Sequence, residues 1–118
     1  MKDPRPWFAL LAAAALVAAP ATAPANAVYK AATKPPAIYV VTLRDMKFGP
    51  TPTHMRVGDT IEWANDDIFL HSASAADKSF DVELKPKTHM WTTFHNAGTF
   101  AFACRYHPGM TATLVVAP

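Results

Sequence analysis

From Ile38 onward, no apolar run in the chain holds the 3.6-residue period of an amphipathic helix. Short runs alternate apolar and polar residues instead, and each ends on turn-forming residues. Ile38 to Leu43 is rich in β-branched residues, and Phe48-Gly49-Pro50-Thr51-Pro52 breaks it. Met55 and Val57 precede a turn at Gly58-Asp59. Thr60 to Asn65 alternates, with Ile61 and Trp63 on one face, and ends at Asn65-Asp66-Asp67. Phe80, Val82 and Leu84 alternate again up to Pro86. His89 to Phe94 is a further strand, turned by Asn96-Ala97-Gly98. Thr99 to Cys104 places Phe100, Phe102 and Cys104 on one side, and Thr111 to Val116 closes the series. Seven or eight strands in about 90 residues predict an all-β fold, two packed antiparallel sheets with Greek-key connections. Residues 68–79 read as a long connection, with at most one helical turn over 72–78. Trp63 and Trp91 both read as core residues.

The chain has 118 residues, which predicts one domain. Residues 1–27 have the pattern of a secretory signal peptide. Lys2 and Arg5 form a positive start, Trp7 to Ala19 is an apolar run, and Ala25-Asn26-Ala27 is an A-x-A cleavage site. The run is shorter than the ~20 residues that span a bilayer, so cleavage after Ala27 and a periplasmic protein are expected rather than a retained anchor. Residues 28–37 then form an extended leader, with Pro35 and Pro36, and residues 38–118 the domain. Once the signal is removed, nine Lys and Arg remain against eight Asp and Glu. With no basic run, nucleic-acid binding is excluded as the working assumption.

Export gives the one cysteine, Cys104, a particular meaning. Oxidising compartments pair cysteines, so an unpaired one is an intermolecular partner or a functional thiol. Taken alone, Cys104 is better explained as a buried structural thiol. Its neighbours change that. Cys104-Arg105-Tyr106-His107-Pro108-Gly109-Met110 places a thiolate, an imidazole and a thioether at C-x2-H-x2-M spacing. Thiolate and thioether favour Cu(I), imidazole accepts both oxidation states, and two His, one Cys and a long axial Met make an electron-transfer copper site. His71 is the candidate for the second imidazole. His54 reads as an exposed turn residue, while His89 and His95 flank a strand. His89 and Met90 point to opposite faces and do not form a second soft-metal site.

The same residues resemble a known family. Phe48-Gly49-Pro50, the run Val57-Gly58-Asp59-Thr60-Ile61-Glu62-Trp63-Ala64-Asn65-Asp66-Asp67 leading to His71, Phe94 to Phe100, and Cys104 through Met110 are similar to the cupredoxins of the plastocyanin, pseudoazurin and amicyanin group. The likeness runs from about Val40 to Ala117. It implies one type-1 copper ion, with His71, Cys104 and His107 as strong ligands and Met110 as the weak axial one. The two-residue gap between His107 and Met110 resembles amicyanin. It also implies a soluble one-electron shuttle, expected to be monomeric, between redox proteins such as a dehydrogenase and a c-type cytochrome. His107 is expected to present its ring edge to solvent, and Pro108, Gly109, Phe69 and Leu70 to form an apolar patch around it. Ser72 departs from the family, where Asn usually follows the first ligand histidine and bridges the ligand loops. Serine offers a shorter side chain for the same gap.

Other functions compete. A copper carrier or sequestering protein is the alternative, although the chain lacks a Met-rich motif. A multicopper oxidase or nitrite reductase would need H-x-H pairs, which are absent, so no enzymatic activity is expected. A metal-free interaction sandwich is a further reading, and zinc shares the same ligands.

Overall fold

The computed structural model describes residues 34–118, together with Ala18. The rest of the expected signal peptide, and residues 28–33 of the leader, lie outside the described residues. Residues 34–118 make one compact unit. No helix among the described residues is long and apolar enough to cross a membrane.

The fold is an all-β sandwich. The strands are β1 (Ile38–Arg44), β2 (Lys47–Phe48), β3 (Met55–Arg56), β4 (Thr60–Asn65), β5 (His71–Ala75), β6 (Asp81–Leu84), β7 (His89–Thr93), β8 (Gly98–Ala103) and β9 (Thr111–Ala117). One sheet has the order β2-β1-β4-β7, the other β3-β9-β8-β5-β6. Most pairs are antiparallel, but β1 runs parallel to β4 and β3 parallel to β9. Two-residue β2 and β3 bring the strand count among the described residues to nine.

Period-2 alternation sends every second residue inward. In β1 these are Val41 and Leu43, in β4 Ile61 and Trp63, all four fully buried. From the opposite sheet come Phe100, Phe102 and Leu114. Trp63 is the centre of an aromatic cluster. Phe102 meets it edge-on at 5.3 Å, and Phe80 and Phe48 lie 5.8 and 6.4 Å away. Its indole N–H donates to Thr92 Oγ1 at 3.0 Å, so its one polar atom is satisfied. Gly49 donates its N–H to the Thr42 carbonyl at 2.7 Å, and a Cβ there would stand 2.9 Å from that oxygen. Only glycine permits this approach.

Two expectations need correction. Residues 71–75 are a strand inside the second sheet, with neither a loop nor a helical turn. Ser72 and Ala73 are fully buried there, because small side chains fit where β5 lies between β6 and β8. Trp91 is not core. It is 58% exposed, because the β4–β7 register sets it opposite Glu62 on the outer face of its sheet.

Candidate metal centre

Asn65 shapes the approach to the site from the end of β4. Its buried amide donates to the carbonyls of Phe69 and Leu84, both at 2.9 Å, and of Lys85 at 3.1 Å. Its side-chain oxygen accepts the Asp67 N–H at 3.0 Å. The loop 66–70 is thereby folded against the end of β6 and delivers His71 as the first residue of β5, with no exposure at all.

Asp67, bound into that loop, has three partners. Its carboxylate accepts the N–H groups of Asp45 at 2.8 Å and Met46 at 3.1 Å. Both residues are left-handed (φ 52° and 60°) and form the two-residue hairpin turn between β1 and β2. The third partner is His71 Nε2, 2.7 Å from Asp67 Oδ2. A carboxylate there selects the tautomer with the proton on Nε2 and leaves the Nδ1 lone pair free. Burial opposes ionisation of Asp67, but the hydrogen bonds from His71, Met46 and Asp45 outweigh it and hold the carboxyl below its ordinary value.

Cys104 follows β8 and continues its inward-facing series with Phe100 and Phe102. Its thiol is buried and receives the Ser72 backbone N–H at 3.4 Å. The loop beyond it is closed by two backbone bonds. Cys104 N–H donates to the Met110 carbonyl at 2.9 Å, and Met110 N–H to the His107 carbonyl at 3.2 Å. The second bond spans His107-Pro108-Gly109-Met110. Proline suits the first central position of this turn, and Gly109 (φ 88°) supplies the left-handed conformation required at the second. The loop thus folds back on itself, with His107 half-buried and Met110 buried.

His71, Cys104 and His107 converge. His71 Nδ1 lies 3.1 Å from His107 Nδ1, and Cys104 Sγ lies 3.8 Å from the first and 3.5 Å from the second. A triangle with these edges has its centre about 2.0 Å from each corner, against roughly 2.0–2.1 Å for metal–imidazole and 2.3 Å for metal–thiolate bonds. The three side chains therefore fit one metal ion as they stand. Met110 sits at the other end of the loop, its backbone paired with that of Cys104. His89 is elsewhere, on the outer sheet face, with Nδ1 2.5 Å from Glu62 Oε1. His54 and His95 are exposed and take no part in the cluster.

Ser72 does bridge to the ligand loop. Its Oγ accepts the Arg105 N–H at 3.0 Å, because the backbone of Arg105 comes close enough for the shorter side chain. Asp67 is the residue that sequence reasoning passed over. It lay within a turn signal, and its spacing of four residues before His71 was the available clue.

A sandwich whose end gathers one thiolate and two imidazoles defines the class as type-1 copper proteins. No family model matches the chain. It is 28% identical over 115 residues to amicyanin from Paracoccus denitrificans, spanning 92% of this chain and 88% of that one. Among solved structures, an amicyanin mutant in its reduced state is 30% identical, with a TM-score of 0.56 over 73% of this chain and 87% of that one. A copper-containing nitrite reductase from Thermus scotoductus shares the fold at 24% identity and a TM-score of 0.61, matching 22% of that longer chain. The chain belongs to the cupredoxins and stands with amicyanin among them, as an electron-transfer protein with a type-1 copper cofactor.

Proposed function

We propose that the mature chain is a soluble periplasmic electron carrier, exported by cleavage after Ala27, with His71, Cys104, His107 and Met110 as its copper ligands. The observation that carries this reading is the donor triangle itself, closed on one side and open on the other. His71 is fully buried and Cys104 is 5% exposed, while His107 is half-exposed. A copper ion held there supplies a one-electron Cu(I)/Cu(II) couple.

The chain's own residues keep the site rigid. Asp67 fixes the His71 ring and its tautomer, Ser72 N–H fixes the sulfur, and the Pro108-Gly109 turn fixes His107. Ligands that stay in place in both oxidation states minimise reorganisation, which favours transfer over delivery of the metal. His107 is the contact point for a partner. Phe69 lies edge-on to its ring at 6.3 Å and is 48% exposed, and Ile68 beside it is 72% exposed. Such a small apolar rim suits short redox encounters. By resemblance, the partners are a periplasmic dehydrogenase and a c-type cytochrome, and the chain works as a monomer without an enzymatic activity of its own.

The test is a visible and EPR spectrum of the copper-loaded protein, followed by voltammetry. A thiolate-to-copper absorption with reversible one-electron cycling and retained copper is expected. Ready loss of Cu(I) to a competing chelator would instead make the protein a copper carrier. A protein that stays colourless and retains no copper after loading would defeat both.

A further inference from the structure

β5 and β8 are paired over only two positions, Ser74↔Ala103 and Ala75↔Phe102. Toward the metal centre the ladder stops, and His71 and Ser72 on one side face Cys104 and Arg105 on the other without strand pairing. A ring of side chains occupies this gap. Arg105 N–H donates to Ser72 Oγ at 3.0 Å, Ser72 Oγ lies 2.9 Å from Ser74 Oγ, and Ser74 Oγ donates to Asp81 Oδ1 at 2.7 Å. The ring closes where it began, because the Arg105 guanidinium donates to both Asp81 oxygens at 2.5 and 2.7 Å.

The direction of every bond is determined. An ionised carboxylate only accepts, so the one proton of Ser74 goes to Asp81. Ser74 is then left only as an acceptor toward Ser72, and the Ser72 proton goes to Ser74. Ser72 Oγ in turn has its lone pairs directed to the Arg105 N–H. The Ser74 hydroxyl, and after it the Arg105 guanidinium, hold the Asp81 carboxyl below its ordinary value, which keeps it an acceptor. Ser72 is also the residue whose backbone N–H reaches the Cys104 sulfur at 3.4 Å.

We propose that Ser74 and Asp81, neither of which touches the metal centre, are positioning residues that lock Ser72 and Arg105 across the open end of the β5–β8 ladder and so set the N–H bond to the Cys104 sulfur. This rests on the copper reading for its effect on potential, but not for its effect on structure. Asp81 is 57% exposed on its side chain, so the brace runs from the protein surface to the sulfur through three hydrogen bonds.

The experiment compares Ser74→Ala, Asp81→Ala and Glu83→Ala with the parent protein. Glu83 also lies beside Arg105, with Oε2 3.5 Å from its Nη2, but is not part of the ring. Glu83→Ala therefore removes the same charge as Asp81→Ala and leaves the ring intact. In metal-free protein, Ser74→Ala and Asp81→Ala should each speed hydrogen exchange at the Ser72 and Arg105 amides about tenfold, the equivalent of one hydrogen bond, with Leu114 unchanged. Glu83→Ala should leave all three amides as they are. Ser74→Ala, which changes no charge, should also lower the reduction potential, because a weaker N–H bond leaves more electron density on the sulfur. Unchanged exchange at Ser72 and Arg105 in both ring variants, or an equal change in Glu83→Ala, would overturn the proposal. A parent protein without the copper absorption would overturn the copper reading, and the exchange data would still decide the ring.

Discussion

Asp67 Oδ2 lies 2.7 Å from His71 Nε2, on the side of the ring away from His107 and Cys104. The same carboxylate accepts both amides of the β1–β2 turn, Asp45 and Met46. One side chain therefore ties the orientation of a buried imidazole to a hairpin in the opposite sheet. Carboxylates behind metal-binding histidines commonly hold ring and tautomer and strengthen the ligand.

Removing Asp67 should consequently cost metal before it costs the fold. In Asp67→Ala, His71 loses the partner that fixes its proton on Nε2, and copper affinity should fall by about 10–100-fold. Chelator competition against the parent protein measures this directly. Equal affinity in the two proteins would mean that backbone packing alone holds the ring.

The proposed ligands make two further predictions. Cys104→Ser should abolish the intense visible absorption, since that band belongs to a thiolate bound to copper. A variant that kept the colour would remove Cys104 from the site. Met110→Leu should keep the colour and raise the reduction potential, because an axial thioether stabilises Cu(II) more than a hydrocarbon does. Voltammetry that showed a lowered or unchanged potential would deny Met110 an axial role.

The two tryptophans should behave oppositely. Trp63 is fully buried at the centre of the aromatic cluster, so Trp63→Ala should cost about 3–5 kcal/mol in denaturant unfolding. Trp91 is 58% exposed, and Trp91→Ala should change stability by about 0.5 kcal/mol or less. Similar losses at both positions would contradict the β4–β7 register.

The sequence was legible wherever large side chains alternated. Ile61 and Trp63, or Phe100 and Phe102, leave little choice of face. The Cys104–Met110 loop was legible because a thiol, an imidazole and a thioether recur in it at three-residue spacing within seven residues. β5 was not, because Ser72-Ala73-Ser74-Ala75 offers no large apolar residue to set a period, although four of its five residues are buried. Trp91 was misread because both faces of β7 carry large side chains, and only its pairing with β4 decides the parity. Asp67 escaped notice because an aspartate in a turn is ordinary, and its second role exists only once β5 starts beside it. Ser72 was judged by side-chain length, whereas the backbone of Arg105 closes the gap from the other side.

Acid should act on the far end of the sandwich through Asp59. This carboxylate is 4% exposed and accepts the N–H groups of Ala37 at 2.8 Å and Arg56 at 2.9 Å, joining the approach to β1 to the end of β3. The bond from Ala37 chiefly lowers its pKa below the ordinary 3.8, against the opposing effect of burial and with help from Arg56. A depressed folded value means that the contribution to stability is complete above the unfolded value and disappears as pH falls through the folded one. Asp59→Asn sets an amide N–H2 against one of the two backbone donors and should cost on the order of 1–3 kcal/mol at pH 7. The gap between variant and parent should then narrow below about pH 4, as the parent's carboxylate takes up its proton. Asp67, Asp77 and Asp81 are also depressed and give both proteins a shared acid slope, so the difference between the two is the quantity to follow. Urea unfolding at pH 7, 4 and 2.5 measures it. A difference that stays constant across that range would mean that Asp59 contributes through packing and not through its charge.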